Sequence, residues 1–149
     1  MDKILLFDLN NNTFGIELKY VKEVLEGGEV KPVPLTPSFI SGLLNRRGKF
    51  LTIINVAELL GVSLKRDSQD FRIIVLDNRD MDIGILVNKI VGAKTVSIGG
   101  NGNKGTLETI GGGEKTEFYQ MVLKNVGNIP KVTILNLESV FNFFWEYKF

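Results

Sequence analysis

PVPLTPSFISGLLNRRGKFLTIINVAELLG, residues 32–61, carries the fold's local grammar in one run. Pro32, Pro34 and Pro37 fix φ and remove backbone donors, so the chain arrives extended but outside a hydrogen-bonded ladder. Phe39, Ile40 and Leu43 then lead a strand into a tight turn at Asn45 to Gly48, a second apolar run follows to residue 55, and Val56–Leu60 forms a short helix that Gly61 ends as a C-cap. Gly48 permits the turn, and Gly42 either permits close backbone approach or avoids a clash within the strand. Two adjacent arginines, Arg46 and Arg47, stand at the tip. Solvated turn residues are the ordinary meaning of such a pair. Against that, the planar five-donor guanidinium is the side chain best suited to carboxylates and carbonyls across an interface.

Outward from this hairpin, short β-branched runs alternate with turn signals, the pattern of a sandwich or barrel. Strands are expected near residues 3–9, 13–18, 30–34, 39–45, 49–55, 71–77, 82–88, 90–98, 118–125 and 131–137, enough for two small barrels. Asn10-Asn11-Asn12 and Asn78-Arg79-Asp80 suit tight hairpins because Asn and Asp tolerate left-handed angles. A terminal helix is expected from Glu138 to about Tyr147, with Phe141, Phe144 and Trp145 on its core face and Phe143, Tyr147 and Phe149 directed elsewhere as an exposed patch. Residues 61–70 are polar and turn-prone and suggest a division into two halves.

Composition narrows the function. With 149 residues and 44% hydrophobic content the chain can bury a core of its own. Eighteen Lys and Arg against seventeen Asp and Glu leave a formal charge of +1, too balanced for the basic footprint of a nucleic-acid binder. The absence of His and Cys removes imidazole bases, thiolate nucleophiles and the usual ligands of zinc and iron. Met1-Asp2-Lys3 leads directly into Ile4 without the pattern of an export signal. The apolar runs fall well short of the roughly 20 residues of a membrane-spanning helix. A cytoplasmic protein is expected, with no cofactor and no metal.

Two motifs invite chemistry. Gly100-Asn-Gly-Asn-Lys-Gly105 matches G-x-G-x-x-G, but the glycine-broken residues after it do not open the helix that a dinucleotide fold needs, so Gly99–Glu117 reads as a long loop. Asp77, Asp80 and Asp82 lack the sixth-position Gly and distal Glu of a calcium loop and read as a solvated turn. A small β-barrel enzyme or nucleotide-binding protein using the glycine loop at 99–113, with Glu108 or Glu114, is the competing reading.

Residues 32–61 resemble the pattern P-x-x-P-x-F-x-x-G-x-x-N-x-R-G followed by an apolar strand and a short helix ending in L-G, which belongs to the CheW-like coupling proteins of bacterial chemotaxis. The likeness extends in order to Ile4–Leu9, to Phe14-Gly15-Ile16, to Val21-Lys-Glu-Val24 as a V-x-E-[VI] signature, to Ile83–Ile90, and to Val132–Leu137. It implies one domain of two intertwined five-stranded SH3-like β-barrels, all-β apart from short helices. It also implies a non-catalytic adaptor between the cytoplasmic tip of methyl-accepting receptors and the regulatory domain of a chemotaxis histidine kinase. Val21, Glu23, Gly42, Asn45, Arg47 and Gly48 fall on the family's signature positions, with Arg47 as the docking arginine or the residue that braces the docking surface. Leu18 and Val21 would add apolar contacts, although barrel core is an equal reading of both. Departures are Arg46 in place of an apolar residue, Thr52 in place of Pro, and Asn55, Asn88 and Asn136 where Asp is frequent. Because amides donate as well as accept, those three imply rewired partners.

Overall fold

Each hairpin forms where a residue type tolerant of left-handed backbone meets a pair of apolar runs. A computed structural model describes residues 2–62, 71–96 and 118–147. Strand β1 (Asp2–Leu9) turns at Asn10 and Asn11, φ 49° and 66°, into β2 (Asn12–Glu17), as the asparagine run predicts. A 3-10 turn at Leu18–Tyr20 leads to β3 (Val21–Leu25). Then follow β4 (Ile40–Arg46), β5 (Lys49–Ile54), α1 (Val56–Leu60), β6 (Arg72–Leu76), β7 (Ile83–Val87) and β8 (Lys89–Val96). The chain ends with β9 (Tyr119–Val126), β10 (Ile129–Leu135) and α2 (Leu137–Tyr147). Gly61 caps α1 at φ 76°.

The strands make two five-stranded sheets, ordered β8-β1-β2-β10-β9 and β3-β6-β7-β5-β4. Within each, one short parallel pairing, β2 with β10 and β5 with β7, joins hairpins distant in sequence. Alternation along the strands explains why they read as continuous apolar runs. Ile4 and Leu6 of β1 join Leu123, Val132 and Ile134 in a cluster private to the first sheet, whereas Leu5, Phe7 and Leu9 face a large core shared with the second. Likewise Ile73 and Val75 of β6 pack with Leu44, Leu51 and Ile53, while Ile74 and Leu76 enter the shared core. Each sheet thus curls around its own interior and packs its outer face on the other, with α1 and α2 filling the shared layer.

Two sequence expectations are corrected. No strand forms at 30–34; Lys31 makes only an isolated bridge to Leu43, since Pro32 and Pro34 have no N–H to donate. The missing strand is β3, whose half-buried, exposed alternation marks an edge. In α2, Phe141 and Phe144 are buried as expected, but Trp145 is 61% exposed. Phe143 instead turns inward, its ring 5.3 Å from that of Phe39 and 5.7 Å from that of Phe118. Those two rings lie on one flank of the helix, and they decide which neighbour of Phe144 is covered. The division expected near 61–70 falls mostly on residues outside those described, and β5 and β6 on either side of it share one sheet.

Candidate functional site

The β4–β5 hairpin closes on the pair Arg46 and Lys49, leaving Arg47 and Gly48 as its two-residue loop at φ 53° and 80°. Two consecutive positive φ values define the mirror-image turn that matches strand twist, and one of them is carried here by an arginine. Asn45 supports the turn by accepting the Gly48 N–H at 3.2 Å. Asn45, Arg47 and Gly48 are therefore brought together, and all three are exposed.

Arg46 lies one residue behind the loop and does something different. Its Nε and Nη2 donate to Oε1 and Oε2 of Glu23 at 3.2 and 3.1 Å, a two-pronged contact. Glu23 is on β3 and Arg46 on β4, the two edge strands of their sheet, so the pair ties the edges together. The guanidinium's hydrogen bonds hold the Glu23 carboxyl below its ordinary range, with the charges of Arg46, Arg47 and Lys22 adding, while the same bond raises Arg46. Arg47 makes no hydrogen bond or ion pair among the described residues. Of the two arginines, the one that departs from the family pattern is the brace, and the one that matches it stands free at the tip.

Gly42 is buried at φ 147°, and a Cβ there would lie 2.2 Å from the Lys31 carbonyl oxygen. Its smallness lets the proline segment lie against β4, where Lys31 and Leu43 exchange two backbone hydrogen bonds of 2.9 Å. Between these elements is a cavity of about 540 Å³, lined in part by Leu25, Gly28, Lys31, Leu43, Arg46 and Phe50. Leu18 and Val21 are not on that wall: both are half-buried against the shared core. Two flanking apolar residues escape sequence reasoning, Phe50 at 62% exposure and Leu35, fully exposed at φ 64° in the proline turn. Only the positive-φ demand of a Pro-Leu-Thr-Pro turn hints at the second.

Each of the three asparagines accepts a backbone N–H through its Oδ1. Asn55 Oδ1 accepts the Glu58 N–H at 3.2 Å and Asn136 Oδ1 that of Ser139 at 3.2 Å, each capping the helix that follows, while Asn88 Oδ1 accepts the Asn10 N–H at 2.8 Å. An aspartate would accept through the same oxygen, so these three backbone hydrogen bonds do not require the amide. The aspartate turn at 77–82 is held by Asn78 Oδ1, which accepts the Asp80 N–H at 2.9 Å. The glycine loop at 99–113, with Glu108, lies outside the described residues, as does Glu114. No helix among the described residues is long and apolar enough to cross a membrane.

Two β-barrels with a common core, bearing a cationic hairpin tip beside an open cavity of mixed lining, define a double-barrel β module whose candidate site is a surface. The chain belongs to the CheW-like domain family, whose model matches residues 3–142. Chemotaxis protein CheW of Thermotoga maritima is 28% identical over 96 residues, 64% of this chain and 62% of that protein. That of Treponema pallidum is 26% identical over 99 residues, 64% of this chain and 58% of that protein, so both matches span less than two thirds of the relative's length. Protein FrzA of Myxococcus xanthus is 24% identical over 134 residues, covering 90% of this chain and 81% of its own. The crystal structure of the scaffolding protein TtCheW from Thermoanaerobacter tengcongensis superposes with a TM-score of 0.76 at 23% identity, over 91% of this chain and 88% of that one, a likeness of fold.

Proposed function

We propose that this chain is a non-catalytic signalling adaptor that couples the cytoplasmic tip of methyl-accepting chemotaxis receptors to the regulatory domain of a chemotaxis histidine kinase. It would act in the cytoplasm, at the margin of membrane-associated receptor arrays, as one domain of two barrel subdomains. The docking face is the β4–β5 hairpin and its surroundings. Arg47 makes the charged contact, Asn45 and Gly48 set the turn that presents it, and the Arg46–Glu23 pair and Gly42 hold that turn in place. Leu18 and Val21, half-buried against the shared core and off the cavity wall, add what apolar area they leave exposed.

The observation that carries this reading is Arg47 itself, an exposed guanidinium held at φ 53° with no partner among the described residues. Backbone strain at a side chain with no partner among the described residues fits a group kept for a partner. Calorimetry with the cognate receptor tip and kinase regulatory domain tests it. Arg47→Glu should weaken at least one affinity about tenfold or more, the scale of an interface arginine. Absence of binding to both partners by the unaltered protein would refute the adaptor reading.

A further inference from the structure

The only tryptophan in the chain, Trp145, is also a residue whose exposure the hairpin site does not use. It borders a notch of about 220 Å³ with Ile54, Met81, Ile83, Phe144 and Asp82. This is smaller than the roughly 300–1,000 Å³ of small-molecule sites, and its size suits one long side chain. Ile54, Met81, Ile83 and Phe144 give it an apolar lining beside the hydroxyl-bearing Thr52, and Asp82 is the only charged residue lining it among the described residues. Asp82 is exposed, and its carboxylate has no hydrogen bond or ion pair among those residues, its backbone oxygen alone accepting the Thr52 N–H.

An exposed indole, a carboxylate with no partner among the described residues and a largely apolar lining together complement an apolar stem ending in a planar cation. We infer that the Trp145–Asp82 notch is a second docking point, receiving an arginine side chain from a partner protein. The stem packs on exposed Trp145 and half-buried Met81, above the buried Ile54, Ile83 and Phe144, and the guanidinium meets Asp82. Charge sets this occupant apart from an apolar knob, which would leave Asp82 desolvated without compensation. The notch takes up the far end of β5, whose Lys49 end carries the Arg47 hairpin, roughly 17 Å away at strand rise. Both points can therefore be engaged at once. This inference is independent of the identity of the hairpin's partners.

The single indole N–H of the ¹⁵N-labelled protein gives the test its own signal. Titration with the peptide acetyl-Leu-Arg-Leu-amide should shift that resonance saturably, and the citrulline peptide, isosteric but neutral, should not. Asp82→Asn should weaken the arginine peptide about threefold, the size of an exposed ion pair, and Arg47→Glu should leave it unchanged. Equal shifts with citrulline, or an affinity indifferent to Asp82→Asn, would overturn the assignment, as would no shift at all. Since Asp82 is exposed, an unchanged far-UV spectrum and melting profile would show that the variant's effect is on binding.

Discussion

Gly42→Ala isolates the feature on which the hairpin's placement depends. The added methyl carbon would sit 2.2 Å from the Lys31 carbonyl oxygen, 2.6 Å from its carbon and 3.0 Å from the Pro32 nitrogen, all backbone atoms with little freedom to give. The residue must also hold φ 147°, a region that L side chains rarely occupy, at a cost of about 1–3 kcal/mol. Relief of the clash requires moving the 31–32 segment off β4, which breaks the two hydrogen bonds between Lys31 and Leu43 at about 1 kcal/mol each. The sum is about 3–5 kcal/mol, and with a urea m-value of about 2 kcal/mol per M the unfolding midpoint should fall by about 2 M. Gly48→Ala is the matched control: φ is 80°, but nothing lies within 4 Å of the new carbon, so only the backbone preference of about 1 kcal/mol is lost. Urea titrations of both variants followed by far-UV circular dichroism decide the matter. If Gly42→Ala cost no more than Gly48→Ala, the close approach of the proline segment would not be what requires glycine.

The Glu23 carboxyl is held below its ordinary value of 4.5 by Arg46, so the stability this pair supplies is present above that value and is lost as pH falls through the lower folded-state pKa. Comparing acid unfolding of Glu23→Gln with that of the unaltered protein should show the variant missing that acid-dependent decrement. Asn136→Ala should cost about 1 kcal/mol by removing the cap of α2, and Asn136→Asp should restore or exceed the original stability because a carboxylate favours a helix start, both read from denaturant midpoints. Phe144→Ala should cost about 3–5 kcal/mol, and Trp145→Ala within about 1 kcal/mol, reversing any expectation that both belong to the core.

The hairpins were legible because their information is local. Asn10-Asn11 and Arg47-Gly48 stand between apolar runs, and the backbone angles required there select among few residue types. Asn55, Gly61 and the run Val56–Leu60 likewise specify a capped helix within seven residues of one another. What was not legible depends on partners distant in the chain. Glu23 and Arg46 meet only because β3 and β4 end up on opposite edges of one sheet, and nothing in either local sequence names the other. Phe143 and Trp145 flank Phe144 on the helix, and only the positions of Phe39 and Phe118 determine which is covered. Strand β3 was overlooked for a related reason: its edge alternation is weak beside the β-branched residues near Pro32, where missing donors forbid a ladder.

An adaptor can alter a kinase's output only if its contacts differ between the kinase's states, so its own stiffness decides how such a difference is transmitted. Strand β5 carries the proposed hairpin contact at one end and the proposed arginine notch at the other. Between them Leu51 and Ile53 are buried in the sheet's own interior and Ile54 in the core shared by both sheets. Sliding or bending this strand would disturb packing on both of its faces, which close-packed interiors resist. The Arg46–Glu23 pair and the Gly42 contact close the same sheet around it. Two partners docked at its ends would therefore be held at a fixed spacing, and the coupling between them would be geometric, arising from which arrangement of the partners fits that spacing and not from a rearrangement within the adaptor.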